Sequence, residues 1–219
     1  GFTGAFLSVL FGESIGNKPP ILWGRLSALA VPMSVKIEGG ENIDREQSYI
    51  VVANHMSHLD TFLIYGWLPV DIRWVIKSQL RNTPVLGYCC YKMGHVFVDR
   101  GNTESAKKSI NAAREKIKGG TSIMFFAEGT RSMDGKLLDF KKGAFRFALD
   151  MKLPILPVTI VGTKNMLPNR TRDLFPGRAK MIIHKPVPVE GYSEKSVDKL
   201  IKVTKAVIQK GLDDNPQYM

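Results

Sequence analysis

Cysteine is scarce in this chain of 219 residues, and its two cysteines are neighbours, Cys89 and Cys90. Adjacent cysteines cannot staple a scaffold, so a disulfide-stabilised secreted fold is excluded and a reducing, cytosol-facing compartment is expected. Long apolar runs are also lacking, because no stretch reaches the roughly 18 uncharged apolar residues that a membrane-spanning helix needs. The best candidate, residues 1–12 (GFTGAFLSVLFG), ends at Glu13. We expect it to be part of a membrane segment or of an apolar helix that lies on a bilayer.

Acidic residues are few, with 20 Asp and Glu against 31 Lys and Arg, which gives a net charge of +11. Such an excess faces an anionic partner, either nucleic acid, phospholipid or a phosphorylated substrate. The basic residues are spread along the chain, and no helix-turn-helix pattern, zinc-ligand spacing or aromatic RNA-binding strand accompanies them. We therefore expect no nucleic-acid partner and favour phospholipid or a phosphorylated substrate.

Short β-rich runs alternate with helical patterns from residue 34 onward. The predicted strands are Val35–Ile37, Tyr49–Ala53, Ile72–Ile76, His95–Val98, Ser122–Phe126, Ile155–Val161 and Ala179–His184. Thr103 begins one helical repeat, and Ser193 begins another that Gly211 is expected to end. The alternation predicts an α/β domain, with a mostly parallel mixed sheet of about seven strands and helices on both faces. We assign residues 34–219 to this domain and residues 1–33 to an apolar, helical, membrane-associating appendage.

A histidine and an aspartate follow the second predicted strand, where ligands bind in such sheets. His55 and Asp60 are five residues apart, which is a rotation of about 500° along a helix, so they cannot share a helical face. They meet only if His55 lies in the loop and Asp60 in the first helical turn, with Ser57 as the N-cap. The carboxylate would then fix the imidazole tautomer while the other nitrogen removes a proton from a hydroxyl group. The alternative is that the two side chains simply cap a helix.

Cationic and small polar residues follow the neighbouring strands. Lys77 follows the third strand and Arg100 the fourth, while the fifth is followed by Glu128, Gly129, Thr130 and Arg131. Gly129 permits close backbone approach, Thr130 offers a hydroxyl group and Arg131 a planar donor fork for phosphate. Each residue alone is typical of a solvated surface. Together they predict a phosphate clamp beside the histidine.

Four blocks of the chain resemble, in order, the motifs of the 1-acylglycerol-3-phosphate acyltransferases (lysophosphatidate acyltransferases), a family of glycerolipid acyltransferases. The first block is His55-x4-Asp60, and the second is Gly94–Arg100 (GHVFVDR). The third, Phe126–Ser132 (FAEGTRS), has Ala127 where the family usually has proline. The fourth is Leu153–Val158 (LPILPV).

This resemblance implies transfer of a fatty acyl group from acyl-CoA or acyl-carrier protein to the 2-hydroxyl of 1-acylglycerol 3-phosphate, forming phosphatidate. His55 would be the general base that Asp60 orients. The glycerol phosphate would be bound by Arg100, Glu128, Gly129, Thr130 and Arg131, with Lys77 assisting. A thioester is reactive enough for direct attack, so we expect neither an acyl-enzyme nor a metal or other cofactor, and we expect oxyanion donors near the start of the helix after His55. Glycerol 3-phosphate, a lyso-ornithine lipid or another lysophospholipid stays open as the acceptor.

Membrane attachment follows from the same resemblance, because the acceptor lies in an anionic bilayer. The segment of residues 162–178 mixes cations with apolar residues, namely Lys164, Arg170, Arg172 and Arg178 with Met166, Leu167, Leu174 and Phe175. The candidates for apolar insertion are Phe2, Phe6, Leu7, Leu10, Phe11, Ile21, Leu22 and Trp23. We expect attachment to the cytoplasmic face of a membrane, in a bacterium the inner one. The alternatives are a solvated loop and an N-terminal region that packs on the domain.

Two other motifs are matched incompletely. His55-x-x-His58-x-Asp60 offers metal-ligand types, but its spacing differs from the His-x-His-x-Asp-His of metallo-β-lactamase-like hydrolases. Residues 12–16 (GESIG) match Gly-x-Ser-x-Gly, yet Pro19 and Pro20 follow closely and no strand precedes them, whereas the serine-hydrolase motif needs a strand before it and a helix after it. We expect neither hydrolase.

Overall fold

The computed structural model describes residues 18–99, 119–169 and 173–218, together with residues 101, 104, 108, 109, 112, 114, 117 and 171. Its strands are β1 (Met33–Glu38), β2 (Ile50–Ala53), β3 (Asp71–Lys77), β4 (Val96–Val98), β5 (Thr121–Phe126), β6 (Ile155–Val161) and β7 (Gly177–Ile183). They form one sheet in the order β1-β7-β6-β2-β5-β3-β4. Neighbouring strands are parallel except for β6 and β7, which are antiparallel. The predicted mostly parallel mixed sheet is confirmed.

Helices cover both faces of this sheet, also as predicted. They are α1 (Lys18–Ala30), α2 (Leu59–Trp67), α3 (Leu86–Lys92), α4 (Lys142–Met151), α5 (Thr163–Met166) and α6 (Val197–Asp213). Single 3-10 turns lie at Gly40–Asn42, Ser78–Asn82, Glu194–Ser196 and Pro216–Tyr218. Side chains of β2 alternate between the two faces: Val51 packs in the core that contains Leu63 of α2, whereas Ile50 packs in the core that contains Phe145 of α4. The central strand is therefore buried on both sides.

The C-terminal helix differs from the prediction at both ends. Ser193 caps the 3-10 turn Glu194–Ser196, in a capping box whose Ser193 N–H donates to Ser196 Oγ at 2.8 Å, and α6 itself begins at Val197 with Ser196 as its N-cap. The prediction that Gly211 ends the helix is wrong, because α6 continues to Asp213. A Cβ atom at position 211 would lie 2.5 Å from Thr159 Oγ1 of β6. Gly211 thus serves close packing of the helix on the sheet. Thr103, the predicted start of the other helix, lies outside the described residues.

The first described helix packs directly on the second. A Cβ atom at Gly24 would lie 2.7 Å from the Gly66 nitrogen and 2.8 Å from the Phe62 oxygen, so α1 crosses α2 at backbone contact. Trp23 meets Phe62 edge-on, with ring centroids 4.9 Å apart, and packs on the domain instead of facing outward for insertion. Residues 1–17 lie outside the described part of the chain, and the boundary at residue 33 stays a prediction.

A helix able to cross a membrane would need greater length and hydrophobicity than any helix in the described part of the chain has.

We expect Gly24→Ala to lower the free energy of unfolding by about 1–3 kcal/mol, because its methyl group would overlap backbone atoms of α2. Urea denaturation measures this change. Gly143→Ala in α4 is the matched control, since nothing lies within 4 Å of its added Cβ atom. There alanine should raise the free energy of unfolding by up to about 1 kcal/mol. Equal changes in the two variants would contradict the close helix crossing.

Candidate active site

His55 and Asp60 meet at the carboxyl end of β2. His55 lies in the loop after the strand, and Asp60 is the second residue of α2. His55 Nδ1 is 2.8 Å from Asp60 Oδ2. Because an ionised carboxylate only accepts hydrogen bonds, Nδ1 must carry the proton, which leaves Nε2 as the basic nitrogen. The pair has the geometry of a general base and its orienting carboxylate.

Asp60 is fully buried, and its carboxylate is held by several donors. Oδ2 also accepts the backbone N–H groups of Met56 at 2.7 Å and Ser57 at 2.9 Å, while Oδ1 accepts the Thr163 hydroxyl at 2.5 Å. Oxyanion donors were expected among the backbone N–H groups near the start of α2, and Asp60 already uses these two. The expectation stays a prediction for the other N–H groups there. Ser57 is not the N-cap residue either: His58 occupies that position, and Ser57 Oγ accepts the Leu59 N–H at 3.3 Å.

The His55 ring is fixed by the last residue of β5, and its backbone by the loop that follows. The imidazole stacks on Phe126 with centroids 3.8 Å apart and planes 7° from parallel. The side chain is 16% exposed, so solvent and substrate can reach it. The His55 N–H donates to Glu128 Oε1 at 2.7 Å, and its carbonyl accepts the Ser132 N–H at 2.8 Å. His55 is therefore held in place yet accessible.

Glu128 joins two loops from a buried position. Its second oxygen, Oε2, accepts the Leu138 N–H at 2.8 Å, and the residue is 2% exposed. Burial raises the pKa of Glu128, whereas the N–H groups of Leu138 and His55 act in the opposite direction. Sequence reasoning assigned Glu128 to the glycerol phosphate. Its contacts instead support the backbone of His55, and a carboxylate would repel a phosphate.

The other residues of the third block lie at the rim of the site. Gly129 has a positive φ of 74°, and Thr130 is exposed. Arg131 is half-buried, and its Nη1 donates to Asn169 Oδ1 at 3.1 Å. Partial desolvation lowers the pKa of His58, and the charges of Arg131 and His55 act in the same direction. Arg131 is held beside the loop that carries His55 through Asn169, whose Nδ2 donates to Met56 O at 3.2 Å.

The two remaining predicted cations are Lys77 and Arg100, which follow the third and fourth strands in the sequence. Lys77 is exposed at the end of β3, two strands from β2 at the same edge, a separation of about 10 Å between strands. Arg100, assigned from the second block, lies outside the described residues.

His95 of the second block is buried and bonded within the protein. Its Nδ1 accepts the Trp74 N–H at 3.4 Å, so the proton on Nε2 is directed at Tyr65 Oη, 2.7 Å away. Burial, with a contribution from Arg73, lowers the pKa of His95 to about 3. A neutral His95 therefore ties β3 to α2 and is unsuited to proton transfer at neutral pH.

Sequence reasoning missed Thr163 and Asn169, which lie beyond the fourth block. Thr163 contacts Asp60, and Asn169 Nδ2 donates to the carbonyl oxygens of Ser132 at 2.8 Å and Met56 at 3.2 Å. One signal could have indicated Thr163: it follows β6, a predicted strand whose carboxyl end lies beside that of β2.

Among the described residues, no three His, Cys, Asp or Glu side chains are grouped so that they could hold a metal ion. Residues 12–16, with the Gly-x-Ser-x-Gly pattern, lie outside the described residues.

Comparison with known proteins places the chain in a family. The family model "Acyltransferase" matches residues 34–161. The crystal structure of the 1-acyl-sn-glycerophosphate (LPA) acyltransferase PlsC from Thermotoga maritima is similar, with a TM-score of 0.81, 30% sequence identity and coverage of 97% of this chain and 86% of that chain. The family model includes His55, Asp60 and Arg131, and the structural match covers nearly the whole chain.

Curated relatives agree with these matches. A 1-acyl-sn-glycerol-3-phosphate acyltransferase of Chlamydomonas reinhardtii is 31% identical over 81% of this chain and 53% of its own length. One of Saccharomyces cerevisiae is 30% identical over 94% of this chain and 73% of its own length. The chain spans about half the length of the Chlamydomonas protein and of two plant chloroplast relatives. From the family match over residues 34–161, the shared fold and the identity to these relatives, it follows that the chain belongs to the 1-acylglycerol-3-phosphate acyltransferase family of glycerolipid acyltransferases.

Proposed function

We propose that this chain transfers a fatty acyl group from acyl-CoA or acyl-carrier protein to the 2-hydroxyl of 1-acyl-sn-glycerol 3-phosphate, forming phosphatidate for phospholipid biosynthesis. The observation that carries the proposal is the 2.8 Å contact between His55 Nδ1 and the fully buried Asp60, with Arg131 at the rim of the same site. The names of its relatives in Thermotoga and yeast support the same acceptor.

The chemistry follows from the tautomer of His55. Its Nε2 takes the proton of the acceptor hydroxyl while that oxygen attacks the thioester carbonyl, so a C–O bond forms. Asp60 stabilises the imidazolium. The tetrahedral intermediate then collapses, the C–S bond breaks, and the proton passes from Nε2 to the departing thiolate. The step needs no acyl-enzyme and no cofactor beyond the acyl donor.

The acceptor phosphate is assigned to the rim residues. Arg131 offers the guanidinium fork and Thr130 a hydroxyl group, Gly129 permits close approach because it has no side chain, and Lys77 and Arg100 would add charge at the same edge. We assign Glu128 to support of the His55 loop, because its two carboxylate oxygens accept backbone N–H groups. Glycerol 3-phosphate, a lyso-ornithine lipid or another lysophospholipid is the alternative acceptor, and a panel of acceptors distinguishes them.

Exposed apolar side chains support attachment to a phospholipid surface. Leu22, Leu26 and Leu29 lie on one face of α1 and are 52%, 54% and 73% exposed. Leu174 and Phe175 are about half exposed in the loop before β7. Apolar groups of this kind favour a bilayer interface, and the net charge of +11 favours anionic lipid. We assign the chain to the cytoplasmic face of a membrane, the inner membrane if it is bacterial.

We expect His55→Ala to lower kcat at least about 100-fold, since general base catalysis contributes about 10²–10⁴-fold. Release of thiol from palmitoyl-CoA, with 1-acylglycerol 3-phosphate as acceptor, measures this loss. His184→Gln is the matched control, because His184 follows β7, which runs antiparallel to β6 and so ends at the opposite edge of the sheet. Wild-type turnover by His55→Ala would contradict the mechanism.

We expect Arg131→Ala to raise the KM for 1-acylglycerol 3-phosphate at least about tenfold, because it removes charge-assisted hydrogen bonds to the phosphate. Turnover of a 1-acylglycerol without phosphate should change little, so the ratio between the two acceptors is the measurement. Arg45→Ala, an exposed arginine before β2, is the control. An unchanged ratio would place the phosphate clamp elsewhere.

We expect Leu29→Glu to weaken binding to phosphatidylglycerol vesicles, because it puts a charge in the apolar face of α1. Vesicle co-sedimentation at low and high salt measures the loss. Val203→Glu puts the same charge on an exposed apolar side chain of α6, 42% exposed, and should bind as wild type does. Equal losses in both variants would show a general charge effect and no specific contact by α1.

A further inference from the structure

We propose that Thr163 and Asn169, in the segment that follows β6, are positioning residues for the two halves of the active site. Thr163 acts through Asp60 on His55, and Asn169 acts through Arg131 on the acceptor phosphate. The inference rests on the proposed function and adds two residues that lie outside its four sequence blocks.

The sheet brings Thr163 to Asp60. β6 runs parallel to β2, with Val158 paired to Ala53. Beyond that pair, the Asn54 side chain bonds both backbone groups of Ile160, at 2.8 Å to the oxygen and 2.7 Å to the nitrogen. The ends of the two strands are therefore fixed to each other, and so are the loops that leave them.

A sharp turn then directs Thr163 inward. Gly162 has a φ of 91°, and a Cβ atom there would lie 2.1 Å from the Arg178 oxygen, so only glycine fits. The next residue, Thr163, begins α5 and is 1% exposed. The chain thus places one hydroxyl group directly against the buried carboxylate.

The Thr163 hydroxyl fixes the orientation of the carboxylate. At 2.5 Å from Asp60 Oδ1, it has the short distance of a charge-assisted O–H···O⁻ bond. The other oxygen of the Asp60 carboxylate, Oδ2, faces His55 Nδ1 and the backbone N–H groups of Met56 and Ser57. Without the hydroxyl, a buried carboxylate oxygen would lose its donor and the group could rotate about χ2. Oδ2 would then move away from the imidazole.

Asn169 connects the two loops of the site in a comparable way. Its Nδ2 donates to Ser132 O and Met56 O, and its Oδ1 accepts from Arg131 Nη1. This set fixes the amide orientation, because a flipped amide would face two carbonyl oxygens with its own oxygen. Arg131 is thereby held beside the loop that carries His55, and less of its rotamer freedom is lost when phosphate binds.

The first experiment replaces Thr163 by Val, which has the same shape without the hydroxyl, and by Ser, which keeps the hydroxyl. We expect Thr163→Val to lower kcat about tenfold or more and to leave the acceptor KM within about twofold of wild type. Thr163→Ser should restore most of the lost kcat. The reason is that part of the general-base contribution of about 10²–10⁴-fold depends on the alignment of the imidazole by Asp60. Thr204→Val is the control, since Thr204 is also fully buried but bonds the Leu200 carbonyl within α6. A normal kcat in Thr163→Val, or an equal loss in Thr204→Val, would overturn the assignment.

A spectroscopic measurement tests the same contact without substrate. The hydrogen-bonded Nδ1–H proton of His55 should give a downfield NMR resonance, assigned by its loss in His55→Ala. We expect this resonance to shift in Thr163→Val and to stay in place in Thr204→Val. If the wild type transfers no acyl group to any acceptor, the proposed function fails, while this resonance still decides whether Thr163 acts on His55. An unchanged resonance in Thr163→Val would overturn that action.

The second experiment replaces Asn169 by Leu and combines this change with Arg131→Ala. We expect Asn169→Leu to raise the acceptor KM several-fold with little change in kcat. In the double variant, KM should be no higher than in Arg131→Ala, because the proposed effect of Asn169 on phosphate binding passes through the guanidinium. Additive increases, or a fall in kcat with KM unchanged, would overturn the role of Asn169.

Discussion

The site depends on satisfying one buried negative charge. The Asp60 carboxylate has no exposure to water, and an ionised carboxylate in such a place is tolerated only when hydrogen bonds replace its hydration. Four donors do so: the His55 ring, the N–H groups of Met56 and Ser57, and the Thr163 hydroxyl. Three of these donors come from the loop before Asp60, so that loop is wound around the carboxylate. The orientation of the imidazole follows from that winding, since Oδ2 is shared between the ring and the two N–H groups.

The position of β2 in the sheet explains how this loop is held from both sides. Its parallel neighbours, β5 and β6, send their own loops over the same edge. From β5 comes Glu128, which accepts the His55 N–H, and from β6 comes Thr163, which bonds Asp60. A strand at the edge of the sheet would have one such neighbour. Because β2 is central and buried on both faces, the loop that carries His55 follows a strand held from both sides, while Arg131 is half-buried at the rim.

The sequence predicted the strands, which follow from hydrophobic periodicity, and the position of the site, because ligands bind beyond the carboxyl ends of parallel strands. It missed the side-chain roles that depend on contacts formed only in the folded chain. Ile155–Val161 was predicted with its observed bounds, because a short run that is apolar except for Thr159 is typical of a buried strand in a parallel sheet. Spacing alone required the loop and first-turn positions of His55 and Asp60. Glu128, in contrast, looked like a ligand-binding group, since nothing in the order of residues shows that its acceptors face the N–H groups of His55 and Leu138. Gly211 likewise looked like a helix end, because its contact with Thr159 is made only after α6 packs on the sheet.

Glu128 and Asp60 together give the imidazole an electrostatic setting that neither supplies alone. One carboxylate meets the ring and the other the main chain of the same residue, and the negative charge of Asp60 contributes to the raised pKa of Glu128. Two like charges so close are costly, and backbone N–H donors offset that cost at both. In the proposed reaction, their combined field would favour the positive charge that His55 acquires when it takes the acceptor proton. The same field would repel a phosphate, so we place the anionic end of the proposed acceptor on the side of Arg131, away from both carboxylates. On that proposal the arrangement of charge would orient the acceptor, with its phosphate facing the cation at the rim and its hydroxyl group facing His55 between the two acids.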